Sequence, residues 1–133
     1  MLEATRRMLN HLLMTSVKQA QLLHLFTNDV VPDAYSYQYD EPKEENYAPI
    51  EMGFEEWRIS EGDEAVARCQ EKRFEKLISK VFGYFISNLR GEILWAERFP
   101  SPFEKPDWAE DFSIEIGPCL RFTQEGIKEE WNV

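Results

Sequence analysis

Apolar positions change period several times along this chain, and each change marks an element. Over residues 2–18, Leu2, Leu9, Leu12, Leu13 and Val17 recur near helical spacing, with Arg6, Arg7 and Lys18 between them and no Gly or Pro. That pattern predicts an amphipathic helix. A helix so short is marginal alone and needs a surface to pack on. The surface is either its own domain or a neighbouring subunit, which the helix would reach as an arm. Residues 21–27 (QLLHLFT) are apolar on both faces, as in a buried strand. Asn28-Asp29 and Pro32-Asp33 then signal a turn. Residues 33–46 are polar and Tyr-rich, a surface loop with the acidic run Asp40-Glu41 and Glu44-Glu45 around Pro42. Residues 47–52 and 54–59 are short strand candidates on either side of Gly53, with Trp57 and Ile59 on one face.

The stretch 63–80 supports two readings. Val66, Leu77, Ile78, Val81, Phe82 and Phe85 fit helical spacing, and the many Glu and Lys residues favour helix. Alternation is also available, with Ala65, Ala67 and Cys69 on one side and Arg68 on the other. Propensity alone leans to helix. The next signal is clearer. Val81–Ser87 and residues 92–99 are both β-rich and are separated by Asn88-Leu89-Arg90-Gly91, which predicts a hairpin. Ile93, Trp95 and Phe99 would share a face, placing this hairpin at the centre of the core. Pro100, Pro102 and Pro106 predict a stiff connection that cannot join a central strand. Phe112, Ile114 and Ile116 alternate with Ser113 and Glu115, a strand with one buried and one wet face. Gly117-Pro118 ends it, Leu120 and Phe122 start a last strand, and the tail 123–133 is polar apart from Trp131.

With 133 residues the chain fits one domain over 1–133, a helical arm at 1–18 and a β unit at 19–133. Hydrophobic residues at 43% and aromatics at 14% suffice for a packed interior. The net charge of −10 disfavours nucleic acid and anionic membranes, which both need clustered cations. No signal peptide is legible and no apolar run approaches the ~20 residues that span a bilayer, so folding in a reducing cytoplasm is expected. Cys69 and Cys119 lack metal-ligand spacing and read as buried thiols, with a disulfide between them as the open alternative.

Catalytic templates are missing: no GxSxG, no Walker loop, no GxGxxG after a strand. His11 and His24 read as surface or packed residues. The acids at 61–64 lack the oxygen ladder of a calcium loop and read as a solvated turn. The sequence thus points to no enzyme, metal or cofactor. Tyr35, Tyr37 and Tyr39 alternate in the long loop, as an edge strand offered to a partner or as part of a sugar-stacking platform over 35–47.

Three stretches carry a family resemblance: Leu25-Phe26-Thr27-Asn28 followed by Val31-Pro32; Tyr47-Ala48-Pro49-Ile50 with Trp57 downstream; and Val81-Phe82-Gly83-Tyr84-Phe85, then Leu94-Trp95-Ala96-Glu97-Arg98-Phe99 and Pro102. In order and rough spacing they resemble small structural proteins of tailed-phage and prophage genomes, over about residues 9–122. The charged 70–80 segment, the longer N-terminus and the acidic tail depart from that pattern. The resemblance implies a compact β-sandwich or jelly-roll-like unit and strands instead of helix over 63–78; with the helix predicted by spacing, the expected fold is mainly β, an antiparallel sandwich or jelly-roll-like unit with an N-terminal helical arm. The competing fold is α+β with a helix at 63–80. It further implies a virion structural protein made in the host cytoplasm, foremost a capsid decoration (cement) protein. A tail, neck or baseplate component is the alternative, and a carbohydrate-binding module using the Tyr-rich loop is the alternative of another class. Expected partners are copies of itself, a trimer by fold-level analogy, and virion proteins such as the major capsid protein. Expected contact residues are Leu2, Leu9, Leu12, Leu13 and Val17 of the arm, with Tyr35, Tyr37 and Tyr39.

Overall fold

The computed structural model of the protein describes residues 6–33, 38–60 and 65–122. Among these residues one α-helix, α1 (Arg6–Gln19), precedes nine strands: β1 (Leu22–Phe26), β2 (Ile50–Glu51), β3 (Trp57–Ser60), β4 (Ala65–Cys69), β5 (Lys72–Leu77), β6 (Val81–Ser87), β7 (Ile93–Phe103), β8 (Phe112–Ile116) and β9 (Cys119–Phe122). The fold is mainly β and every strand pairing is antiparallel. One sheet has the order β2-β1-β6-β7, a second β3-β4-β9, and β5 pairs with β8.

The last two groups form one long ribbon with a break. Arg68 lies opposite Cys119 and Lys72 opposite Ile116, so the register slips by one across Gln70-Glu71 and Gly117-Pro118. The Cys69 N–H donates to the Pro118 carbonyl at 2.9 Å and holds the two halves together at the slip. The stretch 65–77 is therefore strand despite its Glu and Lys content, and the helix at 63–80 is not formed over the described residues. Burial explains the outcome. In β4, Ala65, Val66, Ala67 and Cys69 are all inside while Arg68 is out, and in β5 Phe74 and Leu77 are inside. Burial of these apolar side chains against partner strands outweighs a propensity preference of a few tenths of a kcal/mol per residue.

Strands β1 and β6 are the centre of the four-stranded sheet, and both are buried on two faces. That corrects the expectation for the hairpin. Strand β7 lies at the sheet edge, with Ile93 43% exposed and Trp95 and Phe99 half-buried. Trp95 still meets Trp57 edge-on at 6.1 Å. Trp95→Ala is expected to destabilise by about 2–3 kcal/mol, at or below the lower end of the range for fully buried aromatics; chemical denaturation measures it.

Pro100 and Pro102 lie inside β7 instead of in a connection. Their ladder slips between Arg98 and Phe103, and an edge strand tolerates the missing N–H groups. The turn before β7 follows its sequence signal. Asn88 Oδ1 accepts from the N–H of Arg90 and of Glu92, and Gly91 takes the left-handed φ of +86°.

One hydrophobic cluster joins the helix to both sheet groups. Leu9, Leu13 and Val17 form the inward stripe of α1, at i, i+4 and i+8, Ala20 follows just past its end, and all four are at most 1% exposed. They pack toward β3, β4 and β9. Leu23 and Leu25 enter from β1, Val81, Tyr84 and Ile86 from β6, Phe74 and Leu77 from β5, and Ile114 and Ile116 from β8.

Candidate functional site

The other face of β1 and β6 is not left to solvent. Leu22, His24 and Phe26 alternate with the core residues of β1, and Ser87, Phe85 and Gly83 stand opposite them on β6. The loop between β1 and β2 covers this face. It is tied down near its start, where the Thr27 N–H donates to the Asp40 carbonyl at 2.7 Å. Asn28 Nδ2 donates to the Gln38 carbonyl, and Asn28 Oδ1 accepts from the Asp40 N–H. It is tied again further on, where Glu44 accepts from the N–H groups of Ile78 and Ser79 and from the Ser79 hydroxyl. Tyr39 closes over Phe26 at 4.8 Å and Phe85 at 4.9 Å between ring centroids.

Under this loop lies the polar constellation with the most chemical character. His24 is 9% exposed and stacks on Phe85 at 4.3 Å and 7°. Its Nδ1 is 2.7 Å from Glu41 Oε1 and its Nε2 is 2.7 Å from Ser87 Oγ. Tyr47 donates its hydroxyl to the same Glu41 oxygen at 2.6 Å and accepts from the Leu25 N–H at 3.0 Å. An ionised carboxylate can only accept, so Nδ1 is the donor toward Glu41. Burial pushes the Glu41 carboxyl up, but the hydrogen bonds from His24 and Tyr47 and the proximity of the imidazole outweigh it and hold it below its ordinary value. The Tyr47 phenol is raised, first by burial and then by its bond to Glu41.

Glu41, His24 and Ser87 stand in the order orienting acid, base, hydroxyl, which is the order of a nucleophilic triad. Access decides what they can do. Ser87 is 1% exposed and sits within a strand paired on both sides. Two open pockets flank Leu89 near this end of β6, of about 360 and 210 Å³, and Ser87 lines neither. At that burial the described residues do not present Ser87 Oγ to a substrate carbonyl. What the arrangement does is hold the loop: every polar atom named in it has a partner, and it bridges β1, β6 and the covering loop. Tyr47 also completes the β1 edge beyond the point where the two-residue β2 stops.

The sequence does not single out this constellation, in which His24 reads only as a surface or packed residue, because its members are 17 and 63 residues apart. The acidic loop run was the one available signal, and its Glu41 and Glu44 both turn out to be anchors.

Of the expected contact residues, Leu9, Leu13 and Val17 are inside the protein's own core, so helix α1 packs on its own sheets; Leu12 is 44% exposed. Leu2, Tyr35 and Tyr37 lie outside the described residues, as do the acids at 61–64 and the tail 123–133. Tyr39 is half-buried and its ring is engaged with Phe26 and Phe85, which removes it from a sugar platform. Among the described residues no group of His, Cys, Asp and Glu is placed to hold a metal, and no helix is long and apolar enough to cross a membrane.

Both cysteines are free. Paired residues share a face, and Cys119 is opposite Arg68, so Cys69 points to the other side of the ribbon. Burial pushes the Cys69 thiol up to about 11. At neutral pH, Cys69 is expected to react with iodoacetamide far more slowly than a free model thiol, and no peptide linking Cys69 to Cys119 should form on mild oxidation of the folded protein. Alkylation followed by mass spectrometry reads both.

Compared with protein-family models, curated proteins and solved structures, the chain matches none.

Proposed function

We propose that this protein is a structural subunit of a tailed-phage particle, a capsid decoration protein that works through protein–protein contacts. The observation that carries the reading is how the structure partitions its chemistry. Among the described residues the triad-like constellation is closed beneath the loop with Ser87 at 1% exposure, whereas large apolar groups such as Trp108 at 88%, Leu89 at 63% and Phe103 at 47% face outward. A fold that seals its reactive groups and displays its aromatics is suited to binding.

The three stretches of the family resemblance support the same reading, because their residues build one unit. Asn28 clasps the covering loop and Tyr47 secures Glu41. Arg98 on β7 reaches back to the Val30 carbonyl at 3.0 Å and to Asp29, and lies over Phe82 at 5.3 Å. Those positions specify a scaffold. We read the four-stranded sheet and the opposing ribbon as the two layers of a β-sandwich, with α1 closing one side.

The test is to mix the purified protein with purified capsids and, separately, with isolated tails, and to sediment each. Co-sedimentation with capsids is expected. Sedimentation with tails alone would move the protein to the tail, neck or baseplate, and binding to neither would overturn the reading.

A further inference from the structure

Two exposed features stand at opposite ends of the β6–β7 hairpin. The first is a knob. Residues 106–109 form a tight turn closed by the Ala109 N–H to the Pro106 carbonyl at 3.0 Å. Lys105 folds its ammonium onto the carbonyls of Ala109, at 2.8 Å, and Pro106, at 3.3 Å. This clamp presents Trp108 at 88% exposure. Glu104, Asp107, Glu110 and Asp111 surround it in sequence, and the only cation of the segment is the clamped lysine. Glu104 pairs with Lys80, and Phe112 lies opposite Leu77, which keeps the segment at the end of the hairpin away from the Asn88–Gly91 turn.

The second is a hole. An open pocket of about 210 Å³, room for one large side chain, is lined by Lys18, Gln19, Gln21, Asn88, Leu89 and Arg90. Its charged lining is cationic: Lys18 from the end of α1, and Arg90, whose side chain is 83% exposed. Arg90 also meets Glu92 at 3.0 Å, an exposed pair that holds it weakly. Leu89, 63% exposed, offers an apolar wall, and Gln21 Oε1 holds the turn in place through the Leu89 N–H at 2.8 Å.

We propose that the Trp108 turn of one copy seats in the Lys18–Leu89–Arg90 pocket of the next copy, joining subunits head to tail. Three properties on each side agree. The knob is a rigid aromatic and the hole has an apolar wall; the rim of the knob is acidic and the lining of the hole is basic; and both are pre-organised by internal hydrogen bonds, which lowers the entropy lost on contact. Because β7 separates knob from hole by roughly 30 Å, the two cannot satisfy each other within one chain. A contact between unlike surfaces closes into a ring or extends as a filament. The inference rests on the reading of the protein as a repeated subunit and names the contact by which it repeats.

The experiment is sedimentation equilibrium of the full chain from about 1 µM to about 200 µM, at low and high salt. Concentration-dependent self-association that weakens with salt is expected. Trp108→Ala should weaken it at least about thirty-fold while leaving the melting temperature unchanged, as for a central aromatic hot spot. Lys18→Glu/Arg90→Glu should also abolish it, and so should Asp107→Lys/Glu110→Lys. An equimolar mixture of those two charge-reversed proteins should associate, because each now carries the complement of the other. A chain monomeric throughout, or a Trp108→Ala protein that associates like the parent, overturns the knob-in-hole contact. Either result is distinguishable from failure of the structural-subunit reading, which is decided by capsid sedimentation of the same proteins.

Discussion

Phe26→Ala is expected to destabilise the protein by about 3–5 kcal/mol, the range for deleting a fully buried aromatic. Phe26 is 0% exposed, and its ring lies over Gly83 on the neighbouring strand. A Cβ at position 83 would stand 2.4 Å from the ring and 2.2 Å from the Glu97 carbonyl oxygen. Gly83→Ala is therefore expected to destabilise by about 3 kcal/mol through overpacking. The two changes should not add. Removing the ring relieves one of the two clashes, so the double variant should lose less than the sum of the singles, while the Glu97 carbonyl keeps it below Phe26→Ala alone. Urea denaturation of the three variants measures the cycle; strict additivity would contradict the packing of ring over glycine.

The second large effect concerns the sealed relay. His24→Ala removes the stack on Phe85, leaves the Ser87 hydroxyl without its imidazole partner and leaves Glu41 held by Tyr47 alone among the groups named. The expected loss is about 3 kcal/mol, combining a cavity with an unsatisfied buried hydroxyl. Glu41 adds a pH signature. Its folded-state value lies below its ordinary value of 4.5. Its contribution is then fully present above that ordinary value and is lost as pH falls through the lower, folded one. Glu44 is lowered in the same sense, because the Ile78 and Ser79 bonds outweigh burial, so acid sensitivity alone does not isolate the relay. The difference between the parent and Glu41→Gln does. The melting temperatures of the two proteins should differ most near neutral pH and converge as pH falls through the lowered folded-state value of Glu41. A gap that stays constant with pH would exclude Glu41 as the titrating anchor.

Local chemistry was readable where one stretch of chain decides its own structure. The hairpin turn followed from Asn88 and Gly91, the wet-and-dry alternation of β8 from Phe112, Ile114 and Ile116, and the break in the ribbon from Gly117-Pro118. Residues 72–77 were not readable from propensity, because their Glu and Lys residues favour helix while the partner strand that overrules them is some 40 residues away, as in Arg73 opposite Glu115. Trp95 and Phe99 looked central because they are large; whether a strand lies at a sheet edge depends on pairing order, which no local pattern carries. The relay illustrates the same limit. His24, Glu41 and Ser87 come from two strands and a loop, and the loop looked like solvated acid until Glu41 met an imidazole beneath it.

The measurement that tests the central claim, the proposed virion role, most directly is electron cryomicroscopy of tailed-phage particles purified from cells that express this chain. The account predicts density for the subunit at symmetry-repeated positions on the capsid, with neighbouring copies or the capsid lattice contacting its outward aromatics. Particles that lack the chain altogether, with the protein left behind in the lysate, would contradict it.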